Sequence, residues 1–78
     1  MRKYNDNMDI KKELETMLIE IGSNKAKLGE TMGISRQRVS NILNKKNLSF
    51  ADIASMCDAM GCDLYIDIVP RKKIRNNK

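Results

Sequence analysis

Side chains able to make or break covalent bonds are scarce in this chain. It has no histidine, so the usual general base near neutral pH is missing, and with it every Ser-His or Cys-His arrangement. Two cysteines, Cys57 and Cys62, fall short of a tetrahedral zinc site and nothing else completes one. These absences predict a protein that is not an enzyme and carries neither cofactor nor structural metal. What is concentrated instead is hydrogen-bonding capacity and charge. Arg36, Gln37, Arg38, Ser40, Asn41 and Asn44 crowd into one short stretch, interleaved with Val39, Ile42 and Leu43 at the spacing of a single inward-facing helical stripe.

The charge around that stretch is unevenly spread. The whole chain of 78 residues carries a formal charge of +5, with 15 Lys+Arg against 10 Asp+Glu. Residues 22 to 48 hold six basic residues and one acidic, residues 49 to 70 hold four acidic and no basic, and residues 71 to 78 hold five basic and no acidic. Two basic regions therefore flank an acidic one. No apolar run approaches the ~20 residues of a membrane span, and the opening MRKYNDNMD lacks a signal-peptide core. The reading is cytoplasmic, where Cys57 and Cys62 stay reduced as small core residues. A chain of 8.9 kDa hides only roughly 60 to 65% of its unfolded surface and is marginal as a monomer. With three aromatics and six methionines, the core is expected to be Leu, Ile and Met.

The elements that must position the polar stretch follow from periodicity. Ile10, Leu14, Met17, Leu18 and Ile21 share one face of a first helix over about 9 to 21, ended by Gly22. Ser23 or Asn24 can cap a two-turn second helix through Met32, with Leu28 and Met32 inward, before Gly33. Ser35 caps the third. Ser49 with Asp52 forms a short-acid capping box for a fourth helix whose apolar face is Phe50, Ile53, Ala54, Met56, Cys57 and Met60, closing at Gly61. From there the period changes to two: Cys62, Leu64, Ile66 and Ile68 alternate with Asp63, Tyr65, Asp67 and Val69 until Pro70, which predicts a single strand. One strand has no internal partner, so it is expected to pair with the same strand of a second copy through Leu64, Tyr65, Ile66 and Ile68. The organisation is thus a lead (1–8), a helical unit (9–61), a dimerisation strand (62–70) and a basic tail (71–78).

Two short helices that cross steeply over a tight turn need a small residue where the second backs onto the first, and one tolerant of positive φ at the turn. Gly29 and Gly33 stand at those places. With them, the segment KAKLGETMGISRQRVSNILN (25–44) and its flanking helices (9–61) resemble the Cro/C1-type, or XRE-type, helix-turn-helix family of phage Cro and repressor proteins. The GISRQRVSNIL portion is the most specific. The chain departs from the family pattern at Gly29, where alanine is usual, and at Lys25, where glutamine is frequent. A strand and basic tail replace the common fifth helix, which resembles Cro-like proteins that dimerise through a C-terminal strand.

The resemblance implies a mostly α, lambda-repressor-like four-helix domain followed by one C-terminal β-strand paired in a homodimer. It also implies that the third helix enters the major groove of double-stranded DNA. Ser35, Arg36, Gln37, Ser40, Asn41 and Asn44 are then the base-reading candidates, with Gln37 and Asn41 suited to adenine and Arg36 to guanine. Lys25, Lys27, Arg38, Lys45 and Lys46 are the phosphate candidates. The implied function is a transcriptional regulator, most simply a repressor on a two-fold operator, in a bacterial host cell. A competing reading keeps the scaffold but makes an unidentified protein the target, as for an antitoxin or a phage inhibitor of a host defence complex, with residues 49 to 70 as the surface. Non-specific nucleic-acid binding is disfavoured by the few aromatics. The tail is either a basic arm on DNA or a solubilising terminus.

Overall fold

The computed structural model describes residues 3–71. Four helices, α1 (Asn7–Glu20), α2 (Lys25–Met32), α3 (Arg36–Leu43) and α4 (Phe50–Ala59), pack around one aliphatic core. Each begins at a side-chain cap, because the first N–H groups of a helix have no partner inside it. For α2 the choice falls on Asn24, whose side chain accepts from the Lys27 N–H at 2.9 Å. Ser35 caps α3 by accepting from the Arg38 N–H at 3.1 Å. Ser49 and Asp52 form the expected box on α4.

α1 starts earlier than its apolar period suggests. Asp6 is its N-cap, accepting from the Met8 N–H at 2.9 Å, and the Asp9 side chain accepts in return from the Asp6 N–H at 3.2 Å. The first turn is exposed or only half-buried, so capping and not hydrophobic periodicity sets this boundary. At the other end Ile21, expected on the inward face, is the C-cap and is exposed. Once the helix stops, its 100° phase no longer applies.

The core comprises Leu14, Leu18, Leu28, Val39, Leu43, Leu48, Ile53, Met56 and Cys57. Val39 and Met56 are fully buried, one from α3 and one from α4. Methionine enters the core through Met56, with Met32 and Met60 packed half-buried against it, while Met8 is exposed. Phe50 also departs from expectation: it is 69% exposed at the first turn of α4, and Ala54 lies one turn on at the surface. The inward stripe of α4 is Ile53, Met56 and Cys57, narrower than its apolar composition implied. Gly61 at φ 72° ends the helix, with the Cys62 N–H donating back to the Cys57 carbonyl at 2.8 Å.

Beyond Cys62 the expected strand is not formed among the described residues. The reason is that a strand exists only as part of a hydrogen-bonded ladder, and the described residues of a single copy supply no second strand. Leu64 to Val69 instead lie on the surface, with Tyr65 87% and Ile68 92% exposed. The basic tail, apart from Arg71, lies outside the described residues.

α2 and α3 approach each other closely at the turn between them. Gly33 takes the left-handed conformation at φ 74° and the Ile34 N–H donates to the Gly29 carbonyl at 2.8 Å. A Cβ on Gly29 would lie 2.6 Å from the Ile34 carbonyl oxygen and 3.3 Å from the Ser35 carbonyl group. Gly29→Leu is therefore expected to lose at least about 2 kcal/mol of unfolding free energy through overpacking, read from urea unfolding by circular dichroism. Gly29→Ala should also lose stability despite alanine's helix preference of about 1 kcal/mol. A Leu variant as stable as wild type would contradict the close approach.

Candidate nucleic-acid interface

The third helix turns Val39 and Leu43 inward and Ile42 partly so. By helical phase, Arg36, Ser40, Asn44, Gln37 and Asn41 then fall within an arc of roughly 140° on the opposite side. Arg36, Gln37, Asn41 and Asn44 are exposed and Ser40 is half-buried. Five of the six residues singled out for base reading thus share one arc, with Ser35 at its start as the cap, but they are not equally free. The Ser35 oxygen is engaged as the cap of α3. Asn44, the C-cap of α3, accepts through Oδ1 from Lys11 Nζ at 2.7 Å. Gln37 Nε2 donates to Asn41 Oδ1 at 3.1 Å, one turn along the helix.

The five cations singled out for phosphate separate into two kinds. Lys27, Arg38 and Lys46 are exposed and form no ion pair among the described residues, and Arg36 is in the same state. Lys25 is half-buried, with Nζ 3.1 Å from Glu15 of α1, and Lys45 Nζ lies 3.3 Å from Asp52 of α4. Those two lysines brace α2 and the α3–α4 loop against neighbouring helices, so any phosphate must compete with a carboxylate already in place.

Lys11 was not legible as part of this region. It sits 33 residues from Asn44 in sequence, on a helix whose only periodic signal is its core face. A second tie is equally non-local: the Asn7 side-chain amide donates to the Lys46 carbonyl. Together they join the start of α1 to the end of α3, around an open cleft of about 280 Å³ lined by Lys11, Leu43, Asn44, Lys45 and Lys46 among others.

Among the described residues, no group of three His, Cys, Asp or Glu side chains is placed to hold a metal ion. Cys57 and Cys62 are free thiols, and burial, reinforced by the nearby Cys62 sulfur, pushes the Cys57 thiol up and away from reactivity. No helix among the described residues is long and apolar enough to cross a membrane.

A short helix, a glycine turn and a second helix with an exposed polar face, held between two further helices, define a helix-turn-helix module. The family model of the Cro/C1-type helix-turn-helix DNA-binding domain matches residues 13–66, and the chain belongs to that family. The match takes in α2, the turn and α3 whole and runs past Gly61 into the apolar segment. Neither the curated proteins nor the solved structures compared with the chain gave a match.

The Lys45–Asp52 pair carries a pH signature. Burial raises the Asp52 carboxyl, but hydrogen bonds from Lys45 and from the side chain and backbone of Ser49 outweigh it and hold the group below its ordinary value of 3.8. Its folded value thus lies below its unfolded one, so the stabilisation is present above the unfolded value and is lost as pH falls through the folded one. Wild type should exceed Asp52→Asn in melting temperature at about pH 6, with the gap closing by about pH 2. A constant gap would show that the carboxylate's charge is not what the cap and Lys45 hold.

Proposed function

We propose that this protein is a sequence-specific transcriptional regulator, acting as a repressor by occluding a promoter, that binds a palindromic operator as a homodimer. The exposed polar face of α3, seated on the α2–turn–α3 unit, is the observation that carries this reading. Its N-terminal side chains enter the major groove. Arg36 and Gln37 are the principal base readers, with Asn41 beside Gln37 and Ser35, Ser40 and Asn44 at the margins of the face. Arg36 suits guanine O6 and N7, and the amides suit adenine. Lys27, Arg38 and Lys46 contact phosphates, and Lys25 and Lys45 do so while exchanging partners with Glu15 and Asp52. These phosphate contacts orient the module without reading sequence.

The apolar segment supports the dimer. Leu64, Tyr65, Ile66, Ile68 and Val69 are all exposed in the single chain, and their backbone groups form no ladder. Beside them Tyr4, Ile10, Phe50 and Ile53 line an apolar groove of about 580 Å³ with Leu64 and Ile66. A second copy laid antiparallel along 62–70 satisfies the backbone and covers this groove. The acidic residues choose the register. Centring the pair on Tyr65 sets Asp63 directly opposite Asp67 twice, which is destabilising. Centring it on Ile66 pairs Ile66 with Ile66 and Leu64 with Ile68, sets Asp63 opposite Val69 and Asp67 opposite Tyr65, and uses every residue from 62 to 70. A shift by one residue would mix the two faces. In this dimer the two α3 helices address half-sites about one helical turn apart.

Selection of bound duplexes from a random library near physiological salt tests the function. A palindrome with half-sites about 10 base pairs apart is expected, and Arg36→Ala should relax preference at one position per half-site by a factor of roughly 10. Lys27→Ala should instead weaken binding to all sequences alike and lower the salt slope by about one. No enriched sequence would reject the reading. For the dimer, Ile66→Asp should sediment as a monomer at concentrations where wild type is dimeric; a dimer that persists would exclude the Ile66-centred strand pair.

A further inference from the structure

The hydrogen bond from Gln37 Nε2 to Asn41 Oδ1, 3.1 Å long and on the exposed face of α3, bears on which base Gln37 accepts. A glutamine amide has one acceptor oxygen and two N–H donors on a single nitrogen. Left free, it can present either its oxygen with one N–H, which matches the N6–H donor and N7 acceptor of adenine, or both N–H groups, which match the O6 and N7 acceptors of guanine. With one N–H donated to Asn41, the second arrangement is no longer available. The oxygen and the other N–H form no hydrogen bond among the described residues.

We propose that Asn41 is a positioning residue that makes Gln37 adenine-specific, by tying up the donor that guanine would need. The inference rests on the DNA-reading role of α3 argued above. Position and phase favour it. Residues four apart are neighbours on one helix face, and both amides lie in the same outward arc as Arg36. Arg36 already supplies a guanine reader, so a second side chain that accepted guanine would blur the half-site. In water the tie exchanges freely with solvent, but on docking both amides leave water. There a donor withdrawn from Asn41 leaves the Asn41 oxygen unsatisfied, which is costly in a desolvated interface.

The test uses the full chain and duplexes of the selected operator. Gln37→Ala first locates the base position that depends on Gln37. Binding is then compared for two duplexes that differ only by adenine or guanine there. Wild type should prefer adenine by roughly 10-fold or more, and Asn41→Ala, an exposed change to a strong helix former, should reduce that ratio to about 3-fold or less by gaining affinity for guanine. Asn41→Asp keeps the accepting oxygen, so it should weaken both duplexes through its charge while preserving the ratio. A role for Asn41 in helix stability alone would lower both duplexes equally in the Ala variant, and that result overturns the proposal. So does a wild-type preference for guanine at the Gln37 position, or a Gln37→Ala variant with unchanged preferences everywhere. Failure of wild type to select any sequence is a different result, and it removes the DNA reading of α3 itself.

Discussion

Contact between Gly29 and the turn that follows α2 governs the rest of this structure. The Gly29 carbonyl takes the Ile34 N–H, and the Ile34 carbonyl oxygen comes within 2.6 Å of where a side-chain carbon would sit. Alanine, usual at this place in the family, would hold the turn further off, so the chain uses glycine to bring α3 close. Because Gly33 reverses the chain in the left-handed conformation and Ser35 immediately caps the next helix, the phase of α3 is set within three residues of that contact. Val39 then goes to full burial, and every polar residue from Arg36 to Asn44 takes its direction from the same rotation. A few degrees of slack at Gly29 would move each of these side chains together.

Polar ties outside the core hold this orientation from the other end. Lys11 to Asn44 and Asn7 to the Lys46 carbonyl fasten the end of α3 to α1, and Lys25 with Glu15 and Lys45 with Asp52 fasten its flanks. Each is an exposed or half-exposed contact, modest in free energy by itself. Their effect is positional. They engage cations at the edge of the surface, while Arg36 and Arg38 form no ion pair among the described residues, so positive potential remains near the N-terminal half of α3.

The described chain ends in an apolar segment that it does not cover. Nine buried residues form the core, a small one, consistent with the limited burial open to a domain of this size. Against it stand Phe50, Tyr65, Ile66, Ile68 and Val69 in contact with solvent. In the proposed dimer, pairing two copies would cover this segment and add to the stabilisation of a small core.

Local chemistry was legible from the sequence because it acts over one turn. Caps at Asn24, Ser35 and Ser49, stops at Gly22, Gly33 and Gly61, and the inward residues Leu14, Leu28, Val39 and Ile53 all follow from neighbours three or four positions away. The polar composition of α3 was visible for the same reason. What the tertiary structure decided depends on distant partners. Phe50 has the apolar character of a core residue, yet it stands at the first turn of α4 on the wall of an open groove beside Ile53 and stays exposed. Lys11 enters the functional region because α1 lies against the end of α3, and the Gln37–Asn41 tie is a choice of rotamer that composition does not encode. The alternation of 62–69 has the period of a strand, but a strand needs a second backbone, and the described residues of one copy offer none.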